Sequence, residues 1–367
     1  MTAEQYLQRA FLLARQANPK AIRPNPFVGA VVVSENGEMV GEGFHQQAGE
    51  AHAEVIAIHQ AIDHGAKLDT CTLYVTLEPC SHTGKTPPCT DLIIQHRIPR
   101  VVIGSMDPNP LVSGARILQE NGVIVEIMVM PDVVALNDTF NINQIQKRPK
   151  YVLKSAITLN GKIADSAGNS QWISNEESRE HVHKYLRTAA DAILTTAKTV
   201  LRDNATMNIR IKDQPEQELS LIVFDRNLDL LKKENHQHSI FYTRNKSFIY
   251  LVTDKTGITT ELPHVEIITI PVQHGLFDLE MLHKELLKRN MCQVLIEAGG
   301  TMNAAMMHAK AVDEIYTFVC PRILMENAAI NQFNNSQIQP MDDAIRLQLL
   351  KSMTIGEDIL LRHKVIY

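Results

Sequence analysis

The sequence has no excess of positive charge, no apolar run of membrane-spanning length and too few cysteines for a disulfide framework. Lysine and arginine together number 36 against 41 aspartates and glutamates, a formal net charge of −5. A general nucleic-acid binder needs a basic surface to neutralise phosphates, so that class is disfavoured. No stretch approaches the length needed to span a bilayer. The N-terminal Met1-Thr2-Ala3-Glu4-Gln5-Tyr6-Leu7 lacks the basic-then-apolar pattern of a signal peptide. The 5 cysteines are an odd number, and Cys71, Cys292 and Cys320 lie in apolar, β-rich runs that read as core. A reducing, cytoplasmic setting without membrane or nucleic-acid partners is expected. Internal repeats and low-complexity tracts are absent. No Gly-x-Gly-x-x-Gly follows a strand, so a Rossmann dinucleotide site is not signalled.

What is present is metal-ligand chemistry: His52-Ala53-Glu54, then Pro79-Cys80, then Cys89. One imidazole and two thiolates leave one position of a tetrahedral zinc open, as catalytic sites require. Glu54 is placed to carry protons rather than to bind metal. His-x-Glu followed by Pro-Cys-x-x-Cys is the known signature of zinc nucleobase deaminases. Here 8 residues rather than two separate Cys80 from Cys89, and they form a polar loop containing Lys85. Taken singly, His52 reads as a helix-capping histidine, Cys80 as a core thiol and Glu54 as a solvated helix residue; jointly they read as a site. Side chains at i and i+2 of a helix point about 200° apart, so His52 must stand at the helix start for both to face one metal. Cys80 and Cys89 are both expected at helix N-termini, where backbone N–H groups favour thiolate. Lys85, beside the metal, is a candidate phosphate contact. Asn25 and Asn109, each between prolines, read by default as turn residues.

At 367 residues, with 44% hydrophobic and 21% charged side chains, the chain has the size and composition of two ordinary globular domains. An amphipathic helix over residues 4–17 precedes a hairpin (28–33 and 39–44), a helix (52–62), a strand (72–76), a helix (89–95) and two further strands. This alternation predicts a layered α/β domain. Gln146-Lys147-Arg148-Pro149 breaks the periodicity, which sets expected domains at 1–146 and 147–367. The second domain alternates again, with a helix expected over 176–188. Val294-Leu295-Ile296-Glu297-Ala298-Gly299-Gly300-Thr301 is an apolar strand running into glycines and then a helix, a place where free N–H groups meet phosphate.

The runs Pro24-Asn25-Pro26-Phe27-Val28-Gly29, His52-Ala53-Glu54, Leu77 to Cys89, Asp107-Pro108-Asn109-Pro110 and Ser170-Gln171-Trp172-Ile173-Ser174 closely resemble the bifunctional riboflavin-biosynthesis deaminase-reductases. The resemblance covers essentially the whole chain. It implies a cytidine-deaminase-like, three-layer N-terminal domain fused to a dihydrofolate-reductase-like α/β domain. The first would deaminate 2,5-diamino-6-(5-phosphoribosylamino)pyrimidin-4(3H)-one with zinc. The second would reduce the ribosyl group of 5-amino-6-(5-phosphoribosylamino)uracil to ribityl with NADPH. By the same resemblance Asn25, His45, Lys85 and Asn109 would contact the deaminase substrate. Lys154, Ser170, Arg187, Met207, Arg210 and Glu297 would contact the reductase substrate. Ala156, Trp172, Thr199 and Asp203 would meet the cofactor, with Gly299, Gly300, Thr301, Met302, Asn303, Ala304 and Ala305 around its phosphates and Arg226 a candidate for its 2′-phosphate. A homo-oligomer acting on phosphorylated pyrimidines is expected. The chain departs from the family pattern at Asn160, Ala205, Asn208, Arg226 and Met325, and the departures around Asn160 and Ala205 motivate an alternative in which the C-terminal half binds substrate or cofactor without turnover.

Overall fold

The computed structural model describes residues 1–83, 87–334 and 340–367. The chain divides into two compact units, Met1–Arg148 and Pro149–Tyr367. At the junction the helix Asp138–Gln146 ends on Lys147 in the left-handed region (φ 52°), and Pro149 cannot continue a helix. Among the described residues no helix is long and apolar enough to cross a membrane.

The first unit is built on a five-stranded sheet among the described residues. Its order is Met39–Phe44, Gly29–Val33, Thr72–Val75, Arg100–Ile103, Ile124–Ile127. The first two pairings are antiparallel and the last two parallel. Side chains alternate across each strand. Val31, Val33, Tyr74 and Val102 therefore meet the helix Ala3–Ala14 on one face through Tyr6, Leu7 and Ala10. Ala30, Val32, Leu73, Val75, Val101 and Ile103 meet the helix Ala53–Asp63 and the Cys89–Gln95 helix on the other. The result is three layers. Burial of each Val, Leu or Ile stabilises by roughly 1.5–3 kcal/mol. A Cβ on Gly41 would lie 2.0 Å from the Ala57 carbonyl oxygen, and one on Gly43 2.5 Å from that of Ala53. These glycines let the helix that opens at His52 lie close on the sheet.

The second unit holds a nine-stranded sheet among the described residues. Its order is Val265–Thr269, Ile249–Thr253, Ser220–Phe224, Ala192–Thr196, Gln293–Ile296, Lys150–Thr158, Val312–Cys320, Asp358–Ile366, Arg346–Ile355. The strands run parallel from the first through Val312–Cys320, and the last two are antiparallel. Its central strands are apolar on both faces, as a covered parallel sheet demands. Val152, Ile193, Leu221 and Leu295 enter one core, and Leu153, Leu194, Ile222 and Ile296 the other.

The expected helix over 176–188 is two pieces: an α-helix Glu176–His181 and a π-helical segment Val182–Arg187. The helices Pro131–Leu136, Asp138–Gln146 and Ala197–Asp203 and the strand Val265–Thr269 add to the elements read from periodicity. Several are too short for one clear apolar period, and Asp138–Gln146 is rich in Asn and Gln.

Candidate functional site

In the first unit His52 is the N-cap of Ala53–Asp63, with extended backbone (φ −74°, ψ 163°). That non-helical residue resolves the i, i+2 conflict, and Glu54 lies buried in the first turn beside it. Cys89 opens the helix Cys89–Gln95. Cys80 departs from expectation: it sits in a loop after the Thr72–Val75 strand, not at the start of its own helix. It borrows the other cysteine's helix instead. The Cys89 N–H donates to Cys80 Sγ at 3.3 Å and the Thr90 N–H to the Cys80 carbonyl at 3.3 Å.

The candidate ligand atoms of His52, Cys80 and Cys89 all lie within 4.8 Å of one another. His52 Nδ1 is 3.3 Å from Cys89 Sγ and 3.5 Å from Cys80 Sγ. A tetrahedral zinc with ordinary Zn–S and Zn–N bonds sets N···S edges of roughly 3.5 Å, so the donor set fits that ion in kind and spacing. The Cys80 thiol is lowered well below the usual thiol range, with hydrogen bonding from Cys89 the largest cause and His52 also favouring the thiolate. Burial pushes Glu54 up to about 7, and the neighbouring Cys80 sulfur adds to the effect. A carboxylate poised there can both take and return a proton near neutrality.

Two of the expected substrate residues meet. Asn25 Nδ2 donates to His45 Nε2 at 3.0 Å, and His45 Nδ1 donates to the Ala51 carbonyl at 3.2 Å. Burial lowers the His45 pKa, and the ring packs edge-on to His52 at 5.5 Å. Asn109 is fixed through its backbone, its N–H donating to Asp107 Oδ1 at 2.8 Å while its own Oδ1 accepts from the Leu111 N–H at 3.1 Å. Lys85 lies outside the described residues.

Glu78 has no role in the sequence reading, although it lies in the run before Cys80. Its buried carboxylate accepts from the N–H groups of Asp107 at 3.2 Å and Ala115 at 2.9 Å. It thereby ties the Asn109 loop to the segment that carries Cys80. A glutamate followed by Pro-Cys carries no periodicity signal that would reveal this.

In the second unit the carboxyl ends of the parallel strands open into a cavity of about 1240 Å³. Such crevices are where open α/β sheets bind ligands. All six expected substrate residues, Lys154, Ser170, Arg187, Met207, Arg210 and Glu297, line it. So do Ala156, Trp172, Thr199, Asp203, Gly299, Gly300, Thr301, Met302 and Ala305. Asn303 and Ala304 do not; both are buried, and Asn303 Nδ2 donates to the Gln332 carbonyl at 3.0 Å. Arg226 is likewise absent from the lining, and its Nε pairs with Asp254 Oδ2 at 2.9 Å.

Arg187 grips Glu297 through Nε at 2.7 Å and Nη2 at 2.8 Å. Burial would raise Glu297, but the charge and hydrogen bonds of Arg187, with Lys154 nearby, hold it down to about 2. Burial lowers the Lys154 pKa. After the Gln293–Ile296 strand, Gly299 is the N-cap of the helix Gly300–His308. A Cβ on Gly300 would lie 2.2 Å from the Asn331 carbonyl oxygen, so only glycine fits where the helix opens onto the cavity. Trp172 is 58% exposed, with the Arg179 guanidinium 4.4 Å from its ring centre.

Of the departures from the family pattern, Asn160 has a specific partner. Asn160 donates from Nδ2 to the Leu324 carbonyl at 2.9 Å and accepts from the Leu324 N–H at 3.2 Å, a two-way pairing that an aspartate could not make. The Asn208 carbonyl accepts from Arg187 Nη1 at 2.6 Å, and Met325 is exposed.

Two families of domain meet these two sites. Residues 1–105 match the cytidine and deoxycytidylate deaminase zinc-binding region, and residues 149–361 match the RibD C-terminal domain. The chain is 34% identical to riboflavin biosynthesis protein RibD of Aquifex aeolicus over 98% of this chain and 97% of that one. It is also 34% identical to RibD of Escherichia coli K12, over 98% and 99%. Among solved structures, a diaminohydroxyphosphoribosylaminopyrimidine deaminase/5-amino-6-(5-phosphoribosylamino)uracil reductase of Thermotoga maritima is similar with a TM-score of 0.83 at 32% identity, covering 99% of each chain. The molecule is thus a bifunctional enzyme, a zinc-dependent deaminase domain followed by a reductase domain. It belongs to the RibD family of riboflavin biosynthesis proteins.

Proposed function

We propose that the chain carries out two consecutive steps on one phosphorylated pyrimidine. It first removes the ring amine of 2,5-diamino-6-(5-phosphoribosylamino)pyrimidin-4(3H)-one, then reduces the ribosyl group of the resulting aminouracil to ribityl. The observation that carries this reading is the separation of two chemically distinct sites into two units, in a chain whose relatives match it end to end.

His52, Cys80 and Cys89 would hold the metal in the first unit. Zinc, when bound, supplies the Lewis acidity that makes water nucleophilic at neutral pH. Glu54 takes the water proton and hands it to the departing ring amine, which leaves as ammonia. His45 holds Asn25 by its amide, and Glu78 and Asp107 hold the loop of Asn109, so the pyrimidine meets preset hydrogen-bonding groups.

In the second unit Gly299 to Thr301 offer backbone N–H groups to cofactor phosphates, and Trp172 offers a flat face to the nicotinamide. NADPH, when bound, supplies the hydride for the ribosyl C1. Arg187, Arg210 and Lys154 place positive charge along the cavity for the sugar phosphate, and Glu297 keeps Arg187 in place. The protein's share is alignment and exclusion of water. The intact Arg187–Glu297 pair and the open cavity weigh against a C-terminal unit without turnover. The edge strand Arg346–Ile355, with Leu347, Leu349 and Leu350 exposed, supports a homo-oligomer as the working form.

The test is to incubate the zinc-loaded chain with the diaminopyrimidine, with and without NADPH, and weigh the products. Without NADPH the aminouracil accumulates; with it the ribityl compound forms. Accumulation of the aminouracil despite NADPH would leave only the deaminase.

A further inference from the structure

The reductase cavity contains a histidine to which neither the sequence nor the family resemblance gives a role. His183 lies on the π-helical segment Val182–Arg187 and lines the cavity with Lys154, Arg187, Arg210 and Glu297. With i→i+5 bonding each π turn holds more than four residues, so His183 and Arg187 project to one side. Both reach the same neighbouring segment. The Arg210 N–H donates to His183 Nδ1 at 3.0 Å, and Arg187 Nη1 donates to the Asn208 carbonyl at 2.6 Å. Arg210 Nη1 in turn donates to Thr206 Oγ1 at 2.8 Å.

The first of these bonds settles the tautomer. A backbone N–H can only donate, so Nδ1 is the acceptor and the proton of the neutral ring sits on Nε2. Burial, with Arg187 and Arg210 next, pushes the pKa of His183 down to about 4. Lys154 acts in the same direction and Glu297 against it. At neutral pH the ring is therefore an uncharged donor, locked at one nitrogen by the chain and offering the other.

We propose that His183 is a substrate-binding residue of the reductase site, its Nε2–H donating to an oxygen of the substrate's sugar phosphate. The acceptor is either a phosphate oxygen or a sugar hydroxyl. In a cavity lined by cations, a rigid neutral donor fixes orientation where a charge would fix only proximity. This assignment rests on the reductase reading of the cavity.

The test uses two substitutions in the full chain that split the ring's functions. Asparagine places an oxygen near the Nδ1 position and so keeps an acceptor for the Arg210 N–H while removing the distal donor. Glutamine places an N–H near the Nε2 position and so keeps the donor. Reduction of the aminouracil phosphate is followed by NADPH absorbance, with product affinity measured by calorimetry and deamination by the other unit as an internal control. His183→Asn should raise KM and weaken product binding about 10-fold or more with kcat little changed, and His183→Gln should recover most of that loss. Repeating the series with the dephosphorylated aminouracil identifies the acceptor. A loss that vanishes there assigns the phosphate, and one that persists assigns a hydroxyl; either upholds the donor role. Wild-type affinity in His183→Asn, or equal impairment of both variants, would overturn the proposal and confine His183 to holding the Arg210 segment. A wild-type chain that neither oxidises NADPH with this substrate nor binds the product would instead overturn the reductase reading itself.

Discussion

Arg187 and Glu297 form a two-point ion pair, 2.7 Å at Nε and 2.8 Å at Nη2, with both side chains nearly shielded from solvent. The pair joins the π-helical segment to the end of the Gln293–Ile296 strand, elements far apart in sequence. It also leaves Arg187 Nη1 free to hold the Asn208 carbonyl at 2.6 Å.

Removing one partner of a buried pair costs about 3–5 kcal/mol because the other charge is left uncompensated. Glu297→Ala should therefore lower the stability of the second unit and abolish ordered binding of the aminouracil phosphate. Fluorescence of Trp172, the one tryptophan, reports that unit during urea unfolding. An unchanged midpoint would mean that Arg187 finds another partner.

Glu54→Gln keeps the size and hydrogen bonding of the side chain but removes the proton carrier. Deamination should fall by roughly 10²–10⁴-fold while zinc content stays. Elemental analysis and ammonia release measure the two quantities. Unchanged turnover would assign proton transfer to another group.

Cys80→Ala should lose zinc and deamination together, because two remaining ligands do not hold a catalytic site. Full zinc occupancy in that variant would remove Cys80 from the ligand set.

Glu314 makes the stability of the second unit depend on pH. It is buried and accepts from Lys150 Nζ at 2.6 Å and Arg362 Nε at 2.7 Å. Burial would raise its pKa, but these two cations hold it down to about 2 from an ordinary 4.5. A folded value below the unfolded one stabilises in full above the unfolded value, and that contribution is lost as pH falls from about 4.5 towards about 2. Glu314→Gln should therefore be less stable than wild type at pH 7, by an amount on the order of 3 kcal/mol, and the gap should close in acid. A gap independent of pH would show that the pair contributes only packing.

The sequence is most informative where chemistry forces local spacing. His52 and Glu54 cannot both face one metal from within a helix, so the helix start is legible before any coordinates. The two-faced core of the second unit is legible because a parallel sheet buried on both sides is apolar at every position, as at Val294-Leu295-Ile296. The position of Cys80 was not, because its stabilising N–H comes from a helix that begins nine residues later, at Cys89. The π-helical segment is equally hidden: Glu176 to Thr188 has an ordinary helical pattern, and the change to i→i+5 bonding accompanies the grip of His183 and Arg187 on the Asn208–Arg210 segment. Glu78 and His183 act on backbone groups distant in sequence, which no periodicity records.

The most direct test of two independent chemistries in one chain is to supply Glu54→Gln with the already deaminated aminouracil phosphate and NADPH, and to weigh the product. The first site is then disabled while the second has its own substrate. Ribityl product is expected at the wild-type rate. A folded Glu54→Gln chain that binds both compounds yet forms no ribityl product would contradict it, and would place both reactions at one shared site.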